Sequence, residues 1–145
     1  MKILITRPIA DGARTCERLQ ALGHQTILAP IARIEPTHEP VPTASADALL
    51  ATSANALRML DPATCQCLAT IPIFCVGQKT ATEARQRGFS SVHRGDGDGR
   101  ALVDLVSSQT PRPKRLIYLT GTPRKPFVEE ALRARSLPFT TVELY

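Results

Sequence analysis

Four short stretches place hydroxyl groups, amides and cations where an apolar run gives way to a helical pattern. They read TRP (6–8), TSAN (52–55), GQKT (77–80) and TGTPRK (120–125). Three of them contain a cation, and none contains Asp or Glu. The first turn of a helix offers free backbone N–H groups and the positive end of the helix dipole, which favour an anion. The pattern predicts a site for a ligand carboxylate or phosphate.

Each stretch, taken singly, also has a purely structural explanation. Ser53 and Thr122 are N-cap candidates, and Gly77 or Gly121 would permit a tight turn. Capping is the favoured explanation for any one junction, but four acid-free junctions together also favour an anion site. Both explanations stay open at this point.

The elements that position these stretches alternate between strand and helix patterns. Strand patterns cover 2–6, 24–31, 47–52, 71–77, 90–93, 115–120 and 139–145, and helix patterns cover 10–23, 53–60, 78–88, 100–108 and 125–136. The polar, proline-rich residues 32–45 are typical of a linker. The alternation predicts a parallel α/β sheet with crossover helices. Such sheets bind ligands beyond the carboxyl ends of their strands, where the four stretches would lie.

Composition narrows the class of protein. The 145 residues are 43% hydrophobic, enough for one buried core, and the net charge of +5 suits an anionic partner. The basic residues are scattered and aromatics make up only 4%, which argues against nucleic acid. No apolar run reaches membrane-spanning length, and the start lacks a signal peptide's apolar core. We therefore expect a cytoplasmic protein without a membrane partner, whose four cysteines are free thiols.

Other motifs indicate no metal and no nucleophilic catalysis. GDGDGR (95–100) lacks the lysine and hydroxyl of a phosphate loop, so Asp98 is predicted to lie near the next helix's N-terminus. The pair Cys65 and Cys67 has no second ligand pair at suitable spacing. Three scattered histidines indicate no catalytic triad.

Four longer segments carry a family resemblance. They are ILITRP at the start, LLATSANALRML (49–60), FCVGQKTATEARQRGF (74–89) and LIYLTGTPRKPFVEEALRARSLPFTTVELY (116–145). In order and spacing they resemble the uroporphyrinogen-III synthase (HemD) family. The resemblance implies a cofactor-free hydro-lyase of tetrapyrrole biosynthesis. Such enzymes close hydroxymethylbilane into uroporphyrinogen III with inversion of ring D and loss of water, and their small-molecule substrate bears eight carboxylates.

The resemblance also implies substrate-binding residues, which lie at the ends of strand patterns. They are Arg7, Ser53, Ala54, Asn55, Gln78, Lys79, Thr80, Thr120, Gly121 and Thr122, with Arg124 or Lys125 as a following basic residue. Tyr145 matches a tyrosine considered in the family as a proton donor to the departing hydroxyl. A phenol is a weak acid at neutral pH, so we expect it to assist departure. A packed linker residue is the structural alternative for Tyr145.

The resemblance predicts the domain organisation as well. Residues 1–31 would form a βαβ portion of an incomplete first domain, and 36–140 a complete flavodoxin-like, doubly wound second domain. Residues 32–45 and 141–145 would form a two-strand linker between them. The family continues beyond this tyrosine, which leaves two alternatives. Either the chain is a fragment that is inactive alone, or its unpaired N-terminal unit pairs with another copy in a homodimer. A non-catalytic flavodoxin-like module that binds a small polyanion is the alternative function.

Overall fold

The computed structural model describes residues 1–145, apart from the side chain of Ser45. The chain divides into two compact units, residues 1–35 and residues 36–145. No helix in the described residues is both long and apolar enough to cross a membrane.

The first unit is one strand–helix–strand motif. It consists of β1 (Lys2–Ile5), α1 (Ile9–Ala21) and β2 (Gln25–Leu28), with the two strands parallel. Gly12 lets α1 pack closely on the sheet, since a Cβ there would stand 2.4 Å from Cδ1 of Leu28. Parallel sheets are normally covered on both faces, yet this one has a helix on one face only.

A connecting segment without regular strands leads into the second unit. It runs from β2 to a single 3₁₀ turn at Thr43–Ser45. The Thr37 N–H donates to the Leu144 carbonyl at 3.1 Å, so the segment runs beside the end of the chain. Two bonds to Glu143 reinforce this contact, because Thr37 Oγ1 donates to the Glu143 carbonyl and the Glu143 N–H donates to Glu39 Oε2 at 2.7 Å.

The second unit alternates five parallel strands with five helices. In chain order these are β3 (Ala48–Ala51), α2 (Ala54–Met59), α3 (Pro62–Leu68), β4 (Ile73–Val76), α4 (Gly77–Gln86), β5 (Val92–Gly95), α5 (Gly99–Ser107), β6 (Leu116–Thr120), α6 (Phe127–Ala134) and β7 (Phe139–Glu143). The predicted α/β class with parallel strands is confirmed. Helix α3 was not predicted from the sequence.

The sheet is doubly wound around its first strand. Its order is β5-β4-β3-β6-β7, or 3-2-1-4-5 when numbered within the unit. Flavodoxin itself has the order 2-1-3-4-5, so the resemblance to flavodoxin holds for the architecture and not for the strand order. The chain reverses direction across the sheet between β3 and β6. That switch point is where a ligand crevice is expected.

Two apolar layers cover the two faces of this sheet. Alternate residues of β3 illustrate the division, because Leu49 packs with α2, α3 and α4 while Leu50 packs with α5 and α6. Both leucines are fully buried. The strands of a doubly wound sheet are buried on both faces, which explains why β3 and β6 have continuous apolar sequences.

Two local predictions are wrong. Thr122 does not cap a helix, because α6 begins five residues later with Pro126 at its N-cap position. The last strand ends at Glu143, so Tyr145 lies beyond the sheet.

Candidate functional site

Hydroxyl groups gather at the switch point, where the carboxyl ends of β3 and β6 meet. The Tyr118 hydroxyl lies 3.1 Å from Thr52 Oγ1, and Thr120 Oγ1 donates to it at 3.3 Å. Tyr118 and Thr120 are each 2% exposed, so these bonds satisfy polar groups that burial would otherwise destabilise. The three hydroxyls tie together the strand ends from which Ser53 and Gly121 continue. Tyr118 was not predicted as a site residue, although a tyrosine inside an aliphatic strand is a signal for a buried hydroxyl partner.

Tyr145 lies at this point because Gly121 leaves room for its ring. A Cβ on Gly121 would stand 2.2 Å from Cζ of Tyr145. The Thr122 N–H donates to the Tyr145 carbonyl at 2.8 Å. The Tyr145 hydroxyl donates to Ser53 Oγ at 2.9 Å. Tyr145 thereby bridges the loop after β6 and the loop after β3.

The loop after β3 brings Ser53 and Asn55 together. Ser53 caps α2, as predicted, because its Oγ accepts from the Asn55 N–H at 3.1 Å. Asn55 is half-buried, and its Oδ1 accepts from Arg58 Nη1 at 2.8 Å. Ala54 is buried at 5% exposure, so it can offer a ligand only backbone groups.

Arg58 is a residue of this region that the sequence analysis missed. Its Nε donates to Glu83 Oε2 on α4 at 2.8 Å, and both side chains are largely buried. Arg87, at the end of α4, donates to the Arg58 carbonyl. Helix α4 therefore holds Arg58 in place beside Asn55. The spacing of Asn55 and Arg58 is the available signal, since residues three apart share a helix face.

The next predicted residues lie on the first turn of α4 and not on a loop, because α4 begins directly after β4. The Gln78 amide is bonded at both ends, accepting from Arg94 Nη1 at 2.9 Å and donating to Thr82 Oγ1 at 3.1 Å. Thr80 is buried at 4% exposure, whereas Lys79 is exposed on the first turn of α4. Lys79 is therefore the basic residue of this turn whose side chain is exposed.

The carboxyl edge also carries acids that the sequence analysis did not count. Asp96 and Asp98 follow β5, and Glu143 ends β7. Arg124 Nη1 lies 2.5 Å from Glu143 Oε1, and its Nη2 lies 2.9 Å from Glu129 Oε1. The edge as a whole is not acid-free, because its two outer strands carry acids. The ends of β3, β4 and β6 remain free of acids, as predicted.

These ion pairs decide between the two basic residues predicted after β6. Hydrogen bonds to Glu129 and Glu143 raise the pKa of the Arg124 guanidinium. Hydrogen bonds from Arg124 and Thr122 lower the pKa of Glu143. Two carboxylates already neutralise Arg124, while Lys125 is exposed. Lys125 is thus the better candidate for an anionic ligand.

Arg7 belongs to the first unit. Its side chain is 55% exposed and lies 3.5 Å from Asp11 Oδ2, while its Nη1 donates to Thr15 Oγ1 at 3.3 Å. Both partners lie on α1, so Arg7 packs along the helix that follows β1.

The cysteines form no cluster with other ligands. Cys65 is buried and Cys67 is exposed, which follows from their positions two residues apart on α3. Burial raises the pKa of the Cys75 thiol to about 12. In the part of the chain that the structure describes, no group of three or more His, Cys, Asp or Glu could hold a metal ion.

The fold and the site together define a class of protein. It is a doubly wound α/β protein whose switch point presents hydroxyl and amide groups without a carboxylate, an arrangement suited to a small anion. A family model described as uroporphyrinogen-III synthase HemD matches residues 13–145. The chain belongs to the uroporphyrinogen-III synthase HemD family.

Solved structures support the same fold. A mutant uroporphyrinogen III synthase from the extremely thermophilic bacterium Thermus thermophilus has a TM-score of 0.66 and 20% identity, over 99% of this chain and 61% of that one. The uroporphyrinogen-III synthetase of Helicobacter pylori has a TM-score of 0.65 and 14% identity, over 99% of this chain and 59% of that one. This chain thus spans about three fifths of their length. A search of curated protein sequences found no match.

Proposed function

We propose that this chain carries the substrate-binding part of a uroporphyrinogen-III synthase. The reaction would close hydroxymethylbilane into uroporphyrinogen III, with inversion of ring D and loss of water. This is a hydro-lyase reaction for which we propose no cofactor. The observation that carries the proposal is the acid-free group of donors around Ser53 and Asn55 at the switch point, in a chain of this family.

The donors would bind the acetate and propionate arms of the substrate. Ser53 and Asn55 would bind one arm. The exposed Lys79 lies on the first turn of α4 and the exposed Lys125 on the loop after β6. Binding several arms at once holds a flexible linear tetrapyrrole in one conformation, which is the main requirement for a specific ring closure. Gln78, Thr80 and Thr120 would shape these segments, since they are bonded internally or buried.

Tyr145 is our candidate for assisting departure of the substrate hydroxyl. That hydroxyl leaves as water only if a proton reaches it. The Tyr145 hydroxyl bonds to Ser53 Oγ, so a proton could reach the substrate from the tyrosine itself or from the Ser53 hydroxyl. Arg7 of the first unit is also proposed as a substrate-binding residue.

The domain organisation is part of the same proposal. Residues 1–31 would be a portion of one domain, 36–140 the other domain, and 32–45 with 141–145 the linker. We further propose a cytoplasmic location and pairing of two copies through the first unit. Equilibrium sedimentation tests this pairing, because a strictly monomeric chain at all concentrations would contradict it.

A coupled assay tests the reaction. Hydroxymethylbilane is generated in situ with this chain present, and the oxidised type I and type III uroporphyrins are then separated. We expect a type III excess over the protein-free control, and a smaller excess for Ser53→Ala. Ser108→Ala is a matched control, since that hydroxyl donates to Leu105 O at the end of α5. Type I product alone would contradict catalysis by this chain.

The second candidate function is binding without turnover. It is favoured by one observation, namely that Ser53, Asn55, Gly121 and Tyr145 all lie in the second unit. Uroporphyrin III would then bind this chain while the assay yields only type I product. Absence of both binding and type III product would contradict both candidate functions.

A further inference from the structure

We propose that Tyr145 and Arg58 determine the ligand preference at the switch point by occupying the acceptor atoms of Ser53 and Asn55. With these acceptors occupied, the side chains of Ser53 and Asn55 can only donate hydrogen bonds to a ligand. They would therefore favour carboxylates over neutral or cationic groups. The identity of the ligand rests on the proposed function, whereas the preference for ligand groups that accept hydrogen bonds rests on the side-chain contacts.

The Ser53 hydroxyl has one hydrogen to donate and two lone pairs that accept. The Asn55 N–H donates to its Oγ at 3.1 Å, and the Tyr145 hydroxyl donates to the same oxygen at 2.9 Å. Both lone pairs are therefore occupied from inside the protein. The Ser53 hydroxyl can therefore only donate its hydrogen to a ligand. That hydrogen bond is strengthened by the two that the Ser53 oxygen accepts.

The Asn55 amide could in principle face a ligand with either its oxygen or its nitrogen. Arg58 resolves this choice, because a guanidinium has donors and no acceptor. Its Nη1 lies 2.8 Å from Asn55 Oδ1, so the amide oxygen must face Arg58. Glu83 in turn holds Arg58 at 2.8 Å. Within the described residues no group accepts from Asn55 Nδ2, which leaves the NH₂ group for a ligand.

A carboxylate has only acceptor oxygens, so it matches two side chains that only donate. Neither side chain could accept a hydrogen bond from a ligand hydroxyl or from an ammonium group. Tyr145 then also positions the Ser53 hydroxyl, in addition to the role in hydroxyl departure proposed above. The positioning role is recognised because removal of the Tyr145 hydroxyl should change ligand affinity and not only turnover.

The Tyr145 contact is tested by a double-mutant cycle with uroporphyrin III as the probe. Ser53→Ala should weaken binding about tenfold, since a hydrogen bond to a charged group is lost. Tyr145→Phe should weaken it about threefold, through loss of the polarising bond and of the fixed hydroxyl orientation. The double variant should bind no more weakly than Ser53→Ala alone. Additive losses, or a Tyr145→Phe variant with unchanged affinity and reduced kcat, would overturn the proposal.

The Arg58 contact is tested by Asn55→Asp. A carboxylate at this position still accepts from Arg58, so the urea midpoint should equal or exceed that of the wild-type chain. The substitution also replaces the NH₂ group of Asn55 by a charged acceptor, so the affinity for uroporphyrin III should fall more than tenfold. Asn55→Ala serves as the control that removes the donor without adding an acceptor, and it should bind better than Asn55→Asp. Equal affinity of these two variants for uroporphyrin III would overturn the proposed preference for ligand groups that accept hydrogen bonds.

Acetate separates this inference from the proposed function. Its binding is followed through the Ser53 backbone amide signal in nuclear magnetic resonance, with acetamide as the neutral control. One outcome is that acetate binds, binds more weakly in Tyr145→Phe, and uroporphyrin III does not bind. This outcome would support the preference for accepting ligand groups and contradict the proposed function. If neither acetate nor uroporphyrin III binds, the inference is overturned.

Discussion

At the scale of single residues, Gly121 makes the contact between Tyr145 and Ser53 sterically compatible with the loop after β6. The ring of Tyr145 occupies the space in which any other residue would have its Cβ. The requirement is one of space and not of backbone conformation, since Gly121 is absent from the glycines with positive φ. Its predicted role in a tight turn is therefore replaced by close approach.

The first prediction concerns Gly121→Ala. The added methyl group would stand 2.2 Å from Cζ of Tyr145, so the ring must move and its bond to Ser53 must break. We expect a loss of about 1–3 kcal/mol in the free energy of unfolding, measured by urea denaturation. The same substitution in a Tyr145→Ala background should cost much less. An equal cost in both backgrounds would show that the ring is not the obstacle.

The second prediction concerns the buried hydroxyls below the crevice. Tyr118→Phe leaves Thr120 without its partner, so we expect a loss of about 1 kcal/mol and an unchanged urea m-value. Replacing Thr52 and Thr120 by valine together with Tyr118→Phe removes all three polar groups. That triple variant should recover part of the loss, because no buried hydroxyl then lacks a partner. A triple variant with a further additive loss would contradict this account.

At the scale of elements, α5 illustrates how a loop motif becomes a helix start. Asp98 Oδ1 accepts from the N–H groups of Arg100 and Ala101 at 2.9 and 3.2 Å, so the predicted position of Asp98 is confirmed. Gly97 has a φ of +116°, which lets the loop turn into the cap. The GDGDGR segment is therefore a capping loop.

The third prediction compares the two acids of that loop. Asp98→Ala should lower the free energy of unfolding by about 0.5–2 kcal/mol, since the cap of α5 is lost. Asp96→Ala is the matched control, because Asp96 is exposed and pairs with Arg94 at the surface. It should change stability by less than about 1 kcal/mol. Thermal or urea denaturation of both variants gives the comparison, and equal effects would contradict the capping role.

The fourth prediction concerns the pairing of Arg124 with Glu143 at the end of β7. The pKa of Glu143 is lowered from its usual 4.5, so its ionised form is favoured in the folded state. Its contribution to stability is present above about pH 4.5 and is lost as the pH falls through the lower folded-state pKa. Glu143→Gln should therefore destabilise the chain at pH 7 more than at pH 3. Urea denaturation at both pH values tests this, and a pH-independent difference would contradict it.

Secondary-structure elements could be predicted from the sequence better than contacts between distant residues. Long amphipathic patterns such as α1 and α5 were predicted within two residues of their bounds, because burial of one helix face imposes its period. Helix α3 was missed although Asp61 caps it and Pro62 stands at its first position, a pair of residues that indicates a helix start. The bond between Ser53 and Tyr145 could not be predicted by residue spacing. It depends on the order of strands in the sheet, which local patterns do not determine.

At the scale of the whole molecule, the two units differ in how well their apolar residues are covered. Among the described residues, the large apolar side chains that remain exposed all lie in the first unit: Met1, Leu4, Ile9, Leu22, Ile27, Leu28 and Ile31. The second unit has an apolar layer on each face of its sheet. The second unit therefore has the features of an independently folding domain.

The fifth prediction follows from this difference. A chain of residues 36–145 should unfold cooperatively in urea, monitored by circular dichroism, because its core lies within those residues. Residues 1–35 should not fold alone, since one helix and two strands cannot bury enough apolar surface. Loss of a cooperative transition in 36–145 would show that the second unit depends on the first.

The residues at the switch point are synthesised at different times. Ser53 and its partner Tyr145 are 92 residues apart in the chain. At a ribosome rate of about 5–20 residues per second, about 5 to 20 s separate the synthesis of the two residues. Strand β3 can pair with β4 long before β6 exists, so the sheet can begin to form from one side. The bond between Tyr145 and Ser53 can form only after Tyr145 has been added, so the Ser53 hydroxyl of a nascent chain lacks this partner until then.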